Sequence, residues 1–239
     1  MKKKITNRIL ELIYPPKCPL CGVQLLGREE DVCKDCKEEV PKIGEYFCLK
    51  CGKMLEETGR EFCRDCEKQP HFFVQNRGLF PYRGRLKGSI YRYKYQNQRY
   101  YAEYFAKELV TEFGSQIKDW GVEALIPVPL HRSRKKKRGF NLAELLLKHM
   151  EKPLGIPLYR EYVLREKKTL PQKYLNQMGR QKNLKNAFKI AQNGVKLNKV
   201  LVCDDIYTTG STLDAVSQTL MESGVKEVYG LCICIGEGR

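Results

Sequence analysis

No apolar run in the 239 residues approaches the roughly 20 needed to cross a bilayer, so no membrane-spanning helix is expected. The basic start, Met1-Lys-Lys-Lys-Ile, does not lead into a secretory apolar core with a small-residue cleavage site. Without an export signal the thiols are expected to stay reduced, which favours metal over disulfides. A helix-turn-helix pattern is also lacking, which argues against a reader of duplex DNA. Ile5, Ile9, Leu10, Leu12 and Ile13 instead predict a short amphipathic helix that ends at Pro15-Pro16 and packs on the body of the protein.

What the chain does hold is cysteine. Eight of its eleven cysteines fall between Cys18 and Cys66 in a repeat of period 30. The first copy runs Cys18, Cys21, Cys33, Cys36 and the second Cys48, Cys51, Cys63, Cys66, each a pair of Cys-x2-Cys knuckles eleven residues apart. This is the spacing of a zinc ribbon, in which four thiolates close a tetrahedron around Zn²⁺ and leave no position open for catalysis. Gly22 and Gly52 follow the second cysteine of each opening knuckle, where a tight turn is required. Two structural zinc ions are therefore expected, paired sequentially or in a cross-braced arrangement. So small a segment has little apolar core, and the metal must supply much of its folding energy. Cys203, Cys232 and Cys234 lie far away and read as apolar fillers, the last two on one face of a strand.

Charge divides the chain at the same point. The formal net charge of +16 leaves only +1 on residues 1–70 and puts +15 on residues 71–239. A field of that sign suits phosphate-rich ligands, including nucleic acid. Two domains are expected: residues 1–70, an N-terminal helix with a double four-cysteine zinc-binding unit, and residues 71–239.

Within the second, Tyr91, Tyr93 and Tyr95 alternate with Arg92 and Lys94, a pattern that suits stacked bases or, more plainly, a half-buried strand or helix start. Tyr104, Phe105, Leu109, Val110, Phe113 and Ile117 have helical spacing. Glu123–His131 reads as a strand running into a turn. Arg132–Arg138, six cations in seven residues, reads as a solvated loop or an anion site before a helix from Gly139 to Met150. Residues 160–189 carry nine cations and read as a long exposed loop or hairpin with a helix near its end. Ser211–Ser223 predicts a helix and Lys226–Ile235 a buried strand.

The most informative stretch is Val200–Thr212. An apolar run ends in Asp204-Asp205, and Thr208-Thr-Gly-Ser-Thr212 then opens an amphipathic segment. Read as strand, turn and helix, it puts two carboxylates at a strand end and aims N–H groups and hydroxyls at a helix mouth, a cradle for phosphate. Asp204, Asp205, Thr208, Thr209, Gly210, Ser211 and Thr212 resemble, position for position, the phosphoribosyl-pyrophosphate (PRPP) loop of type I phosphoribosyltransferases.

Taken with the double cysteine module, the chain resembles the ComF family of competence-associated proteins. Ile126-Pro-Val-Pro-Leu-His131 and Arg138-Gly-Phe-Asn141 match the family's central motif, departing at Leu142, where the family has Gln. Arg165, Thr169, Pro171-Gln172, Arg180, Asn183 and Ala187-Phe188 match its next string. The resemblance implies an α/β fold, a type I phosphoribosyltransferase-like, mostly parallel sheet flanked by helices, preceded by the small zinc-ribbon domain. It implies a role in DNA uptake during natural transformation, with PRPP, single-stranded DNA and other competence proteins as partners and Mg²⁺ accompanying PRPP. The expected place is the cytoplasm, including the inner face of the membrane. Asp204 and Asp205 would hold the ribose hydroxyls, directly or through Mg²⁺, and Thr208, Thr209, Gly210, Ser211 and Thr212 the 5′-phosphate. His131 would lie near the pyrophosphate with Arg132 or Arg138 neutralising it, and Arg165, Lys167 or Lys168 would reach in from a lid. For His131 the plainer reading is a hydrogen-bonding turn residue. The alternative function is a non-catalytic adaptor of the uptake machinery that binds single strands on the same fold.

Overall fold

The structure, a computed structural model, describes residues 15–25, 31–56, 59–166, 184, 186–191 and 195–236. The expected N-terminal helix and the lid cations Lys167 and Lys168 lie outside these residues, as do Thr169, Pro171, Gln172, Arg180 and Asn183.

Each cysteine module is a knuckle, a short antiparallel contact and a short helix. In the first, Cys33 precedes α1 (Lys34–Glu39), and in the second, Cys63 precedes α2 (Arg64–Lys68). The remaining chain forms β1 (Gln75–Pro81), α3 (Arg85–Tyr95), α4 (Tyr101–Asp119) and β2 (Ala124–Pro127). Then follow α5 (Arg132–Arg138), α6 (Leu142–Leu154), β3 (Val163–Arg165), β4 (Phe188–Ile190), β5 (Lys199–Tyr207), α7 (Ser211–Glu222) and β6 (Glu227–Ile235).

Four strands pair in the order β1-β6-β5-β2, every pair parallel. Val200–Cys203 and Val228–Ile235 are buried throughout, as strands covered on both faces must be. One face packs against α3, α4 and α6 through Ile90, Phe105, Leu109, Leu146 and Met150. The other packs against α7 and the antiparallel β3–β4 pair through Val216, Leu220, Val163 and Phe188.

Two expectations are corrected. The cation run 132–138 is a short helix rather than a loop, closed by Gly139 at φ +80°, and a new helix starts only at Leu142, capped by Asn141. Left-handed backbone at Gly139 ends the first helix and lets the chain turn before the second begins. Cys232 and Cys234 go to opposite apolar clusters rather than sharing a face. β5 changes faces at the same level: Cys203 and Ile206 pack on one cluster and Tyr207 on the other. Period-2 alternation therefore breaks where the acid pair sits.

Candidate functional site

At its C-terminal end β5 leaves the apolar core, and Asp204 and Asp205 emerge half-buried beside the end of β2. The Asp205 backbone N–H donates to Asp204 Oδ1 at 2.8 Å. Lys94 reaches in from α3 and places Nζ 2.9 Å from Asp205 Oδ1, with both side chains largely covered. Burial alone would pull the Lys94 ammonium down, but the Asp205 charge outweighs it and the pKa ends above the usual lysine value. Asp204 moves the other way. Burial, then the charge of Asp205, pushes its carboxyl up to about 7, against the pull of Lys94, the Asp205 N–H and Arg165. Arg165, at the end of β3, is buried over the Phe188 ring; burial, reinforced by Arg134, draws its guanidinium down to about 10.

The turn after the pair rises into α7. Gly210, at φ +79°, is the cap residue, and the Thr209 and Ser211 hydroxyls lie 2.9 Å apart. An added Cβ at Gly210 would sit 2.6 Å from the Tyr207 hydroxyl, so the turn demands glycine for both conformation and space. A cavity of about 40 Å³ lies beneath, lined in part by Asn76, Asp204, Ser211 and Cys232. It holds about one water.

The structure brings Arg138 to this mouth. Its guanidinium lies 5.3 Å over the Tyr95 ring and its charge acts on Lys94. His131 Nδ1 accepts from the Ser133 N–H and caps α5. Asn141 ties the start of α6 to the end of β2 by donating to the Val128 carbonyl at 2.9 Å. Leu142, the departure from the family string, is core, and its carbonyl accepts from the Tyr93 hydroxyl.

The two cysteine sets are Cys18, Cys21, Cys33, Cys36 and Cys48, Cys51, Cys63, Cys66, with all sulfurs of a set within 4.8 Å of one another. Pairing is sequential. Four thiolates at that separation fit Zn²⁺, whose sulfur bonds of about 2.3 Å set such a tetrahedron, and they fill it, so the ion's role is structural.

Sequence reasoning missed Lys94. Leu86, Ile90 and Tyr93 are the buried stripe of α3, and Lys94 stands four residues after Ile90, on that stripe. A lysine there needs an acid, a signal visible once the segment is read as a helix. It also missed His71, whose Nδ1 lies 2.7 Å from Asp214 Oδ2 on the first turn of α7; no spacing announced it.

A parallel sheet flanked by helices, with an acid pair and a hydroxyl-rich turn at one strand end, is joined to two four-thiolate modules, so the class is an α/β body with a double zinc ribbon. A family model described as a double zinc ribbon domain matches residues 9–67. Competence protein F of Haemophilus influenzae is 38% identical over 149 residues, 59% of this chain and 65% of that protein. Competence protein ComFC of Bacillus subtilis is 29% identical over 225 residues, 93% of this chain and 75% of that protein. The chain is thus similar to competence proteins of the ComF/ComFC type and carries an N-terminal double zinc ribbon. It spans less than two thirds of the Haemophilus relative. Among solved structures, a purine phosphoribosyltransferase from Pyrococcus horikoshii aligns over 55% of this chain and 73% of its own at 15% identity, with a TM-score of 0.36, too distant to bear on the site. No helix among the described residues is long and apolar enough to cross a membrane.

Proposed function

We propose that residues 71–239 form a PRPP-binding unit of phosphoribosyltransferase type that serves DNA uptake, with residues 1–70 as its zinc-binding unit. The observation that carries this reading is the acid pair at the end of β5, directly followed by a turn that opens α7 through a left-handed Gly210. Asp205, paired with Lys94, accepts from a ribose hydroxyl. Asp204, half-protonated near neutrality, accepts or donates at the other. The Thr208–Thr212 N–H groups and hydroxyls take the 5′-phosphate, aided by the helix dipole. Mg²⁺ fits the hard oxygens of Asp204 and Asp205, which supply the one or two carboxylates it uses when substrate phosphates complete its shell. When bound it would neutralise charge on the pyrophosphate. Arg138 stands at the same mouth for that purpose, and catalysis would rest on positioning and electrostatics.

Calorimetric titration of the full chain with PRPP and Mg²⁺ tests the reading. Wild type is expected to bind and Asp205→Asn to lose binding; a wild type that takes up no PRPP would sink it.

A second reading, a single-strand-binding adaptor, has its own observation. Tyr91 and Tyr95 are exposed on α3 with ring centroids 5.1 Å apart, and Arg138 covers Tyr95. Bases stack on such rings for about 1–3 kcal/mol each while cations take the phosphates. Tyr95→Ala is expected to weaken binding of a fluorescent oligothymidine about tenfold. Affinity should also fall steeply with salt, and salt-independent binding would count against this surface.

A further inference from the structure

The phosphate turn has a floor, and the floor belongs to the segment leaving the second cysteine module. The His71 ring stacks on Phe73 with centroids 4.8 Å apart, and Phe73 meets Tyr207 edge-on at 6.1 Å. Gly210 rests on this group: an added Cβ would lie 2.6 Å from the Tyr207 hydroxyl and 3.3 Å from His71 Cε1. Asp214, one turn into α7, accepts from the Phe72 N–H at 3.1 Å and pairs with His71 Nδ1 at 2.7 Å. The His71 side chain is 4% exposed and that of Asp214 16%, so the pair is shielded from water. Neither makes any of the ligand contacts assigned above.

The second module fixes where this floor sits. The Leu49 carbonyl accepts from Gln75 Nε2 at 2.8 Å, the Lys50 carbonyl from the Asn76 N–H at 2.8 Å, and the Cys51 carbonyl from Asn76 Nδ2 at 2.9 Å. The Lys50 ammonium lies 5.5 Å over Phe73. The knuckle between Cys48 and Cys51 therefore grips residues 73–76, and these carry His71 under the turn.

We propose that His71 and Asp214 are positioning residues for the 5′-phosphate cradle, and that the second zinc module acts on ligand binding through them. This deepens the PRPP reading and rests on it. The pair anchors the first turn of α7 so that the N–H groups around Gly210 point outward together. Without it the turn keeps its sequence but loses its common direction. Ligands with a sugar 5′-phosphate then lose affinity, while inorganic pyrophosphate, which the same reading assigns to the Arg138 side, does not.

The test uses the zinc-loaded full chain, wild type against His71→Ala, His71→Asn and Asp214→Asn. Titrations with PRPP, ribose 5-phosphate and pyrophosphate are read together with zinc content and with amide hydrogen exchange across residues 208–214. His71→Ala is expected to bind PRPP and ribose 5-phosphate at least tenfold more weakly at unchanged zinc content and pyrophosphate affinity. Exchange across the turn should be faster. His71→Asn keeps a donor near the Nδ1 position and is expected to recover most of the loss. Unchanged exchange in His71→Ala would overturn the proposal whether or not wild type binds PRPP. So would loss of zinc and of all three ligands together, which marks a residue of the module's fold alone. A wild type that binds no PRPP would sink the functional reading separately, since the exchange comparison needs no ligand.

Discussion

The two cysteine modules are near copies inside and differ outside. In the first, the Cys18 N–H donates to the Val23 carbonyl at 2.7 Å, and Gly22, at φ +86°, donates to the Cys18 carbonyl. The second repeats this thirty residues on, with Cys48 to Lys53 at 2.7 Å and Gly52, at φ +77°, to Cys48. Among the described residues their outer hydrogen bonds go to different elements. α3 grips the first module: Arg85 donates to Cys36 Sγ at 3.2 Å, Arg92 to the Leu20 carbonyl at 2.8 Å and Ser89 to the Pro19 carbonyl. β1 and the segment before it grip the second. The same α3 delivers Lys94 to Asp205, and the same segment delivers His71 to Asp214. Metal chemistry fixes the inside of each copy, so the outside was free to diverge, and each copy braces a different end of one strand–turn–helix.

The largest expected effect removes one ligand from each copy. Cys21→Ser and Cys51→Ser should each lower zinc content from two sites to one. Each should reduce Tm on the order of 10 °C, because metal binding supplies folding energy there. Metal analysis and calorimetry check this, and hydrogen exchange carries the comparison. Cys21→Ser should loosen α3 first, and Cys51→Ser residues 71–77 and the turn after β5. Identical exchange maps would break the division of labour.

Next comes Lys94→Met. It strands Asp205 half-buried without its cation, and breaking such a pair costs about 3–5 kcal/mol. Urea unfolding at pH 8 should show the loss. The double variant Lys94→Met/Asp205→Asn should recover part of it, because no lone charge is left behind. If the double variant is no better than the single, packing rather than charge ties α3 to the acid pair.

The matched glycines give a smaller, sharper contrast. Gly22→Ala and Gly52→Ala both force left-handed backbone on a residue with a side chain, at about 1 kcal/mol each. Their surroundings differ. The new methyl at position 22 meets the movable guanidinium end of Arg92, whereas that at position 52 meets Ile235 and the Asn76 backbone carbonyl, at 2.7 and 2.9 Å. Gly52→Ala should therefore cost about 1–2 kcal/mol more than Gly22→Ala in matched denaturant titrations.

Much of this was legible before any coordinates. The repeat declares two four-thiolate sites because metal ligation depends on spacing, which a sequence prints directly. Val200–Thr212 declares a strand, an acid pair and a helix mouth because apolar run, turn chemistry and amphipathic period follow one another without a gap. What stayed hidden is what depends on distant packing. Lys94 and Asp205 are 111 residues apart, and His71 and Asp214 are 143 apart. Only the sheet order, with β5 at its centre and β1 beside β6, brings these segments together. That the cation run folds as its own short helix, α5, closed by a left-handed Gly139, is a conformation a periodic reading cannot see.

The smallest expected effect separates the acid pair from its scaffolding by pH. Asp204 titrates near 7 in the folded protein and near 3.8 when free. Between those values the native state holds a proton that the unfolded chain has released, so this residue's contribution to stability falls as pH rises through the interval. Above pH 7 both states are ionised and the loss is complete; below about pH 4 both are protonated and there is none. Asp204→Asn never carries the charge, so it should melt higher than wild type at pH 8, on the order of 3 °C, with the difference shrinking toward pH 5. If it melts lower at pH 8, Asp204 is a hydrogen-bonding support that β5 needs. If it melts higher, the strand end carries an unfavourable charge that both flanking modules help to hold in place, and a carboxylate kept there against folding stability is kept for a ligand.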